Sequence, residues 1–212
     1  KALGGTFTEF KLSSGISINP FRMIDETLAE GDDDYLVDCL AMLKSIVSQM
    51  ARNETRLNDT ERGLIDQAVN LVWDTHGRDG TIDHVMQALK GHEHPFAYDL
   101  ATSLLPFAAK GTYGKFFLGD ANLDLSADLT VFELSDLATR VELRGVVLTS
   151  IMFIALQVMR RMDRAIPKPL IIDEAWQMLK GGAMADFVET YSRTCRKYGG
   201  ALITATQSIH DY

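Results

Sequence analysis

Cysteine is nearly absent: Cys39 and Cys195 are the only two in 212 residues, and they stand far apart. That excludes a disulfide framework and reads as two structural thiols in a reducing compartment. A surplus of positive charge is missing too. Lys and Arg number 21 against 29 Asp and Glu, a formal net charge of -8, so there is no overall electrostatic footprint for a phosphate backbone. One local patch, Arg193, Arg196 and Lys197, runs against that balance. No hydrophobic run reaches the roughly 20 residues that cross a bilayer, because the longest, about Val146 to Val158, is broken by Thr149, Ser150 and Gln157. The first residues carry no signal-peptide pattern, and there are no internal repeats or low-complexity segments.

Several familiar chemistries are also lacking. No Ser-His-Asp arrangement suggests itself. His92-Glu93-His94 is followed by Pro95 and has no second cluster, so it reads as a polar loop rather than a zinc site. His76 and His84 are isolated. Gly111-Thr112-Tyr113-Gly114-Lys115-Phe116 looks like a phosphate-binding loop only at first sight. That motif needs Gly, four residues, then Gly-Lys-Ser/Thr, and here Ala109 stands at the first glycine and Phe116 at the hydroxyl. A hairpin is the expected structure.

What is present is an alternation of strand and helix patterns around a long helical stretch. Thr6-Phe7-Thr8-Glu9-Phe10 alternates like a short strand, and Ile16 to Phe21 is a second extended piece. A short helix is expected from Phe21 to Glu30, ending at Gly31. From Asp32 to about Ala109 the pattern is helical throughout. Asp32-Asp33-Asp34 offers an N-cap, and Leu36, Leu40, Leu43, Val47 and Met50 follow at three- and four-residue spacing. Further helices are expected from near Thr60 to Gly77, from Thr81 to Gly91 and from Phe96 to Leu105. Residues 110–212 return to strand signals: Leu129 to Leu134, a helix over about Val141 to Arg164, the apolar run Leu170-Ile171-Ile172, a helix from about Met184 to Tyr198, and Ala201 to Thr206. The order strand, helix, strand, helix, strand implies a parallel sheet with right-handed crossovers, buried on both faces. The fold class is therefore α/β. Residues 1–31 and 110–212 form its core, and 32–109 form an inserted all-helical subdomain.

The chemistry sits at strand ends. Leu170-Ile171-Ile172-Asp173-Glu174 is an apolar strand ending in two acids, which is the pattern of a Walker B element. In a parallel sheet, ligands bind outside the carboxyl ends of the strands. There Asp173 is placed to hold Mg²⁺ and Glu174 to polarise an attacking water. The same residues also suit a buried strand with a solvated acidic end. The next strand ends in Thr206-Gln207-Ser208, where Gln207 is placed to sense a γ-phosphate or to sit in a solvated loop. Between them Arg193 and Arg196 suit either arginine fingers aimed at a neighbouring subunit or a basic helix end favoured by the helix dipole.

Taken together, Gly4-Gly5-Thr6-Phe7, Ile18-Asn19-Pro20-Phe21, Tyr113-Gly114-Lys115-Phe116-Phe117, Val131-Phe132-Glu133-Leu134, Ile172-Asp173-Glu174-Ala175-Trp176, Arg196-Lys197-Tyr198-Gly199 and Ala205-Thr206-Gln207-Ser208 resemble the TraC-type conjugal-transfer ATPases. These are type IV secretion motors of the HerA/FtsK group of RecA-like hexameric ATPases. The resemblance covers essentially the whole chain. It implies a RecA-like P-loop NTPase core with ATP and Mg²⁺ as cofactors, and hydrolysis coupled to pilus assembly or substrate export. It also implies self-assembly into a hexamer at the cytoplasmic face of a bacterial inner membrane, alongside secretion-channel components and a transient DNA or protein substrate. By the same resemblance Asp173 and Glu174 form the Walker B pair, Gln207 is the sensor, and Arg193 and Arg196 are the basic motif before the sensor strand. The family's phosphate-binding loop is expected upstream of Lys1 and further chain beyond Tyr212, so this polypeptide alone is expected to be inactive. The competing expectations are a DNA-translocating coupling protein of the same group, and a non-catalytic interaction module.

Overall fold

The computed structural model of the chain describes residues 4–52, 55–173 and 182–205, without the side chains at 182, 183, 185 and 186. Strand β1 (Thr6–Glu9) pairs in parallel with β2 (Thr130–Glu133), Thr6 opposite Thr130. The helices that dominate the first half of the chain are strung between these two neighbours. α1 (Glu26–Gly31) follows a 3-10 turn over Phe21–Met23. The single helix expected over this stretch is split because Ile24 is extended and Asp25 caps a new start, accepting from the N–H groups of Thr27 and Leu28.

α2 (Asp33–Ala51), α3 (Asp59–His76), α4 (Ile82–Lys90) and α5 (Pro95–Ser103) come next, and no strand interrupts them among the described residues. Each starts on a side chain that satisfies a free N–H. Asp32 caps α2 and Thr81 caps α4, while Asn58 and Glu61 form a reciprocal capping box on α3. His94 caps α5 by accepting from Phe96 N–H, with Pro95 in the first turn. Within the stretch His92-Glu93-His94, expected as a polar loop, His94 thus has a structural purpose at the start of α5.

α6 (Val141–Arg161) is enclosed on every side, with Leu143, Val146, Val147, Met152 and Phe153 inaccessible to water. By length and composition it is apolar enough to cross a bilayer, at a mean hydropathy of 1.7. The polar breaks expected to disqualify it do not do so. Thr149 and Ser150 satisfy their hydroxyls on carbonyls of their own helix, Gly145 and Val146. Burial inside the protein, with α2 packed along it, makes it a core helix. One hydrophobic core runs from the helices of the first half through α6 to α7 (Gly182–Arg196), whose Phe187, Tyr191 and Cys195 are buried at helical spacing.

β3 (Lys168–Ile172) and β4 (Gly200–Thr204) form a second parallel pair around α7. Two expectations change here. Among the described residues the strands form two separate two-stranded ladders rather than one sheet. They are also not buried on both faces: Phe7, Val131, Ile171 and Ile203 are all exposed. The helices cover only one side of each ladder, so alternate side chains along a strand meet the core and the solvent in turn.

The stretch 111–117 is not a hairpin. It folds into turns and a 3-10 segment over Gly114–Phe117. A Cβ on Gly111 would lie 2.1 Å from the Leu105 carbonyl oxygen, and one on Gly114 would lie 2.1 Å from that of Ala108. The glycines let this chain fold back onto 105–109, where Tyr113 N–H donates to Pro106 O. They cradle backbone, not phosphate.

Candidate functional site

Parallel pairing brings the ends of β3 and β4 together. Ile172 lies opposite Thr204, and the ladder continues one step further, with Ala205 N–H donating to Ile172 O at 2.9 Å. The backbone therefore leaves the sheet side by side after Ile172 and after Ala205. Asp173 is the first residue beyond β3 and is exposed. Glu174 and Gln207 lie outside the described residues.

Arg193 and Arg196 occupy the last turn of α7, where a cation is favoured by the helix dipole. Both are exposed, on the side away from Phe187, Tyr191 and Cys195. Arg193 pairs with Glu189 one turn earlier at 2.5 Å. With both partners well exposed, that contact is worth little. The carboxylate at the strand tip and the two arginines thus belong to elements that flank each other in chain order, β3 then α7, with the turn into β4 after them.

That turn is tightly built. Gly199 has φ +73°, and a Cβ there would lie 2.5 Å from the Arg164 carbonyl oxygen. Lys168, largely buried at the start of β3, donates from Nζ to the carbonyls of Asp163 (2.6 Å), Ile166 (2.9 Å) and Tyr198 (2.9 Å). One ammonium thus joins the entry to β3 and the entry to β4. Nothing in the sequence marked Lys168 beyond its place between Pro167 and Pro169. The buried Cys195 thiol is pushed up by desolvation, consistent with a packing thiol rather than a nucleophile.

A hollow of about 510 Å³ is lined by Asp83, Met86, Leu105, Pro106, Lys110 and their neighbours. It takes no residue from the strand ends and is separate from this site.

Across its whole length, residues 1–212, the chain matches the family described as the TraG P-loop domain. The chain belongs to that family. Protein TraC of Escherichia coli (strain K12) is 32% identical to it over 180 residues, covering 78% of this chain and 21% of TraC. The structure of VirB4 of Thermoanaerobacter pseudethanolicus superimposes with a TM-score of 0.72 at 22% identity, over 99% of this chain and 58% of that one. The chain therefore spans about a fifth of the length of TraC and little more than half of the VirB4 chain. The VirB4 likeness shows the fold, α/β with parallel strands and consistent with a RecA-like P-loop domain. The expected α/β fold class is thus the observed one.

The residues present fit the cofactors of such a family in part. Asp173 supplies an exposed carboxylate at a strand's carboxyl end, the hard oxygen donor that Mg²⁺ takes. Arg193 and Arg196 supply exposed guanidinium groups suited to phosphate. The stretch 111–116 supplies no phosphate cradle.

Proposed function

We propose that this chain is part of the motor ATPase of a type IV secretion or conjugal-transfer system, in which ATP hydrolysis drives pilus assembly or substrate export. The observation that supports it best is the in-register pairing of β3 with β4, which brings the chain that continues to Glu174 and the chain that continues to Gln207 to one edge. The likeness to TraC supports the secretion context. On this reading the motor works as a hexamer on the cytoplasmic side of a bacterial inner membrane, beside channel components, and residues 32–109 are its inserted helical subdomain.

Asp173 would hold the Mg²⁺ that accompanies the nucleotide. Glu174 draws the proton from the attacking water, and Gln207 contacts the γ-phosphate and that water. When bound, Mg²⁺ offsets the charge that builds on the phosphate oxygens. Arg193 or Arg196 adds positive charge to the same region from a neighbouring subunit, since heterologous ring contacts place one subunit's exposed edge against the next one's site. Their position on the exposed side of α7 supports this role.

In the full-length protein, Glu174→Gln retains ATP binding and lowers the hydrolysis rate by about 10²–10⁴-fold, the usual worth of a general base. An unchanged rate overturns the assignment. Mixing tests the arginine. Rings of Arg196→Ala subunits and rings of Glu174→Gln subunits are each inactive alone, and mixed rings regain activity at sites that combine an intact Glu174 with a neighbour's Arg196. No recovery in mixed rings confirmed by mass places Arg196 within its own subunit.

A further inference from the structure

Away from the strand tips, a buried guanidinium joins α2 to the turn that follows α7. Arg160 lies in the last turn of α6, and its side chain is only 5% exposed. Its guanidinium carbon sits 4.8 Å from the ring centroid of Tyr35 and 4.9 Å from that of Tyr198. Its Nη2 donates to Asp38 Oδ2 at 2.8 Å. Its Nε is buried and has no hydrogen-bond partner. Tyr35 and Asp38 belong to α2, whereas Tyr198 sits two residues beyond Arg196, in the turn leading into β4.

Both ends of this connection are anchored. Tyr35 OH donates to Gln157 Oε1 at 2.7 Å and accepts the Asp25 N–H at 3.0 Å. At the other end Tyr198 O accepts from Lys168, and the Arg164 guanidinium lies 5.5 Å from the same ring.

Space-filling alone does not account for Arg160. A cation withdrawn from water with one carboxylate partner and an unsatisfied Nε is a costly way to fill a gap, and buried ion pairs are often replaced by apolar residues without loss of stability. A planar guanidinium can contact two rings and a carboxylate at once, which sets distance and angle between three elements. We infer that Arg160 is a positioning residue: through Tyr198 it holds the end of α7, and with it Arg193 and Arg196, at a set place relative to α2. A displacement of the helical region then moves the arginines and changes turnover. The inference rests on the proposed ATPase reading.

The test uses the full-length protein and two measurements, steady-state ATPase kinetics and amide hydrogen exchange across residues 193–199. Arg160→Met and Tyr198→Leu each lower kcat by about 10–100-fold, the effect of a small misplacement of groups at a reacting centre, while KM for ATP stays within about twofold. Both quicken exchange at 193–199 by about tenfold, with α3 and α4 unchanged. Tyr198→Phe keeps the ring and restores most of the rate lost in Tyr198→Leu, and Arg160→Lys is intermediate because the charge remains but the planar contact goes. The double variant Arg160→Met/Tyr198→Leu is no worse than either single one, because both break one connection.

Unchanged kcat and exchange in the single variants overturn the inference, as do effects that simply add. A rise in KM in place of a fall in kcat also overturns it. If Arg160→Met fails to fold, Tyr198→Leu and Tyr198→Phe decide the matter, since they leave the Arg160–Asp38 pair in place. If the wild-type protein hydrolyses no ATP, the proposed function falls, and the exchange measurement still judges the connection: quickening confined to 193–199 supports it and none refutes it.

Discussion

Along α6, Val147, Met152 and Phe153 are wholly enclosed, whereas further along the chain Ile171 on β3 and Ile203 on β4 stand 65% and 48% exposed. These are the same kinds of side chain in two settings. The helices surround one another, so each apolar stripe finds a partner in a neighbouring helix. The strand pairs receive helices on one side only. Hydrophobic character thus measures burial well along α6 and poorly in the strands that carry the candidate site, while the outer helices fall between, with Val37 on α2 and Leu71 on α3 exposed. The strands are held instead by ladder hydrogen bonds, by Lys168 and by the turn at Gly199.

Paired core and strand substitutions test this contrast most strongly. Phe153→Ala in α6 costs about 3–5 kcal/mol of stability, while Ile171→Ala on the exposed side of β3 stays within about 0.5 kcal/mol, as read from denaturant unfolding. Similar costs for the two would mean that Ile171 is covered in the working protein. A smaller loss is expected at the turn. Gly199→Ala places a Cβ on a positive-φ residue against a carbonyl oxygen and costs about 1–3 kcal/mol. If the loss shows as lowered ATPase at unchanged melting temperature, the turn serves position more than stability.

The smallest effect is a pH dependence inside the helical region. The His84 ring stacks on that of His76 at 3.9 Å, and its buried Nδ1 has no partner. Burial holds the His84 pKa below the usual 6.5, with the charge of His76 adding to the shift and Asp83 opposing it. A depressed histidine favours the fold while neutral. Its contribution is present above the unfolded pKa and is lost as pH falls through the folded one. The melting temperature should therefore drop on acidification below about pH 6.5, the ordinary histidine value, and His84→Phe should flatten that drop. An equal drop in both proteins assigns the acid sensitivity elsewhere.

The helical region was legible because its signals are local. Asp32 and Thr81 each start a helix by accepting from an N–H three residues on, and the apolar spacing of Leu43, Val47 and Met50 needs only 3.6 residues per turn. The break at Asp25 was missed because Phe21 to Glu30 keeps a helical composition while Ile24 turns extended. Gly111 and Gly114 look like turn residues and so predict a hairpin, although their function is close packing against 105–109. At the site, the apolar run ending at Asp173 and the arginines at the end of α7 were readable from spacing. Arg160 and Lys168 were not, since their partners lie as far off as Asp38 and Tyr198.

By itself the sequence determined the family resemblance, the capped starts of α2 and α4, the parallel order of strands around α7, and the acid that follows β3. Each of these depends on residues a few positions apart or on a short motif. Only the tertiary structure decided that the strands form two ladders with one open side, that α6 is a core helix rather than a membrane span, and that Arg160 meets both Tyr35 and Tyr198. Those outcomes depend on which surfaces meet between distant parts of the chain, 122 residues apart for Asp38 and Arg160, and neither period nor propensity carries that information.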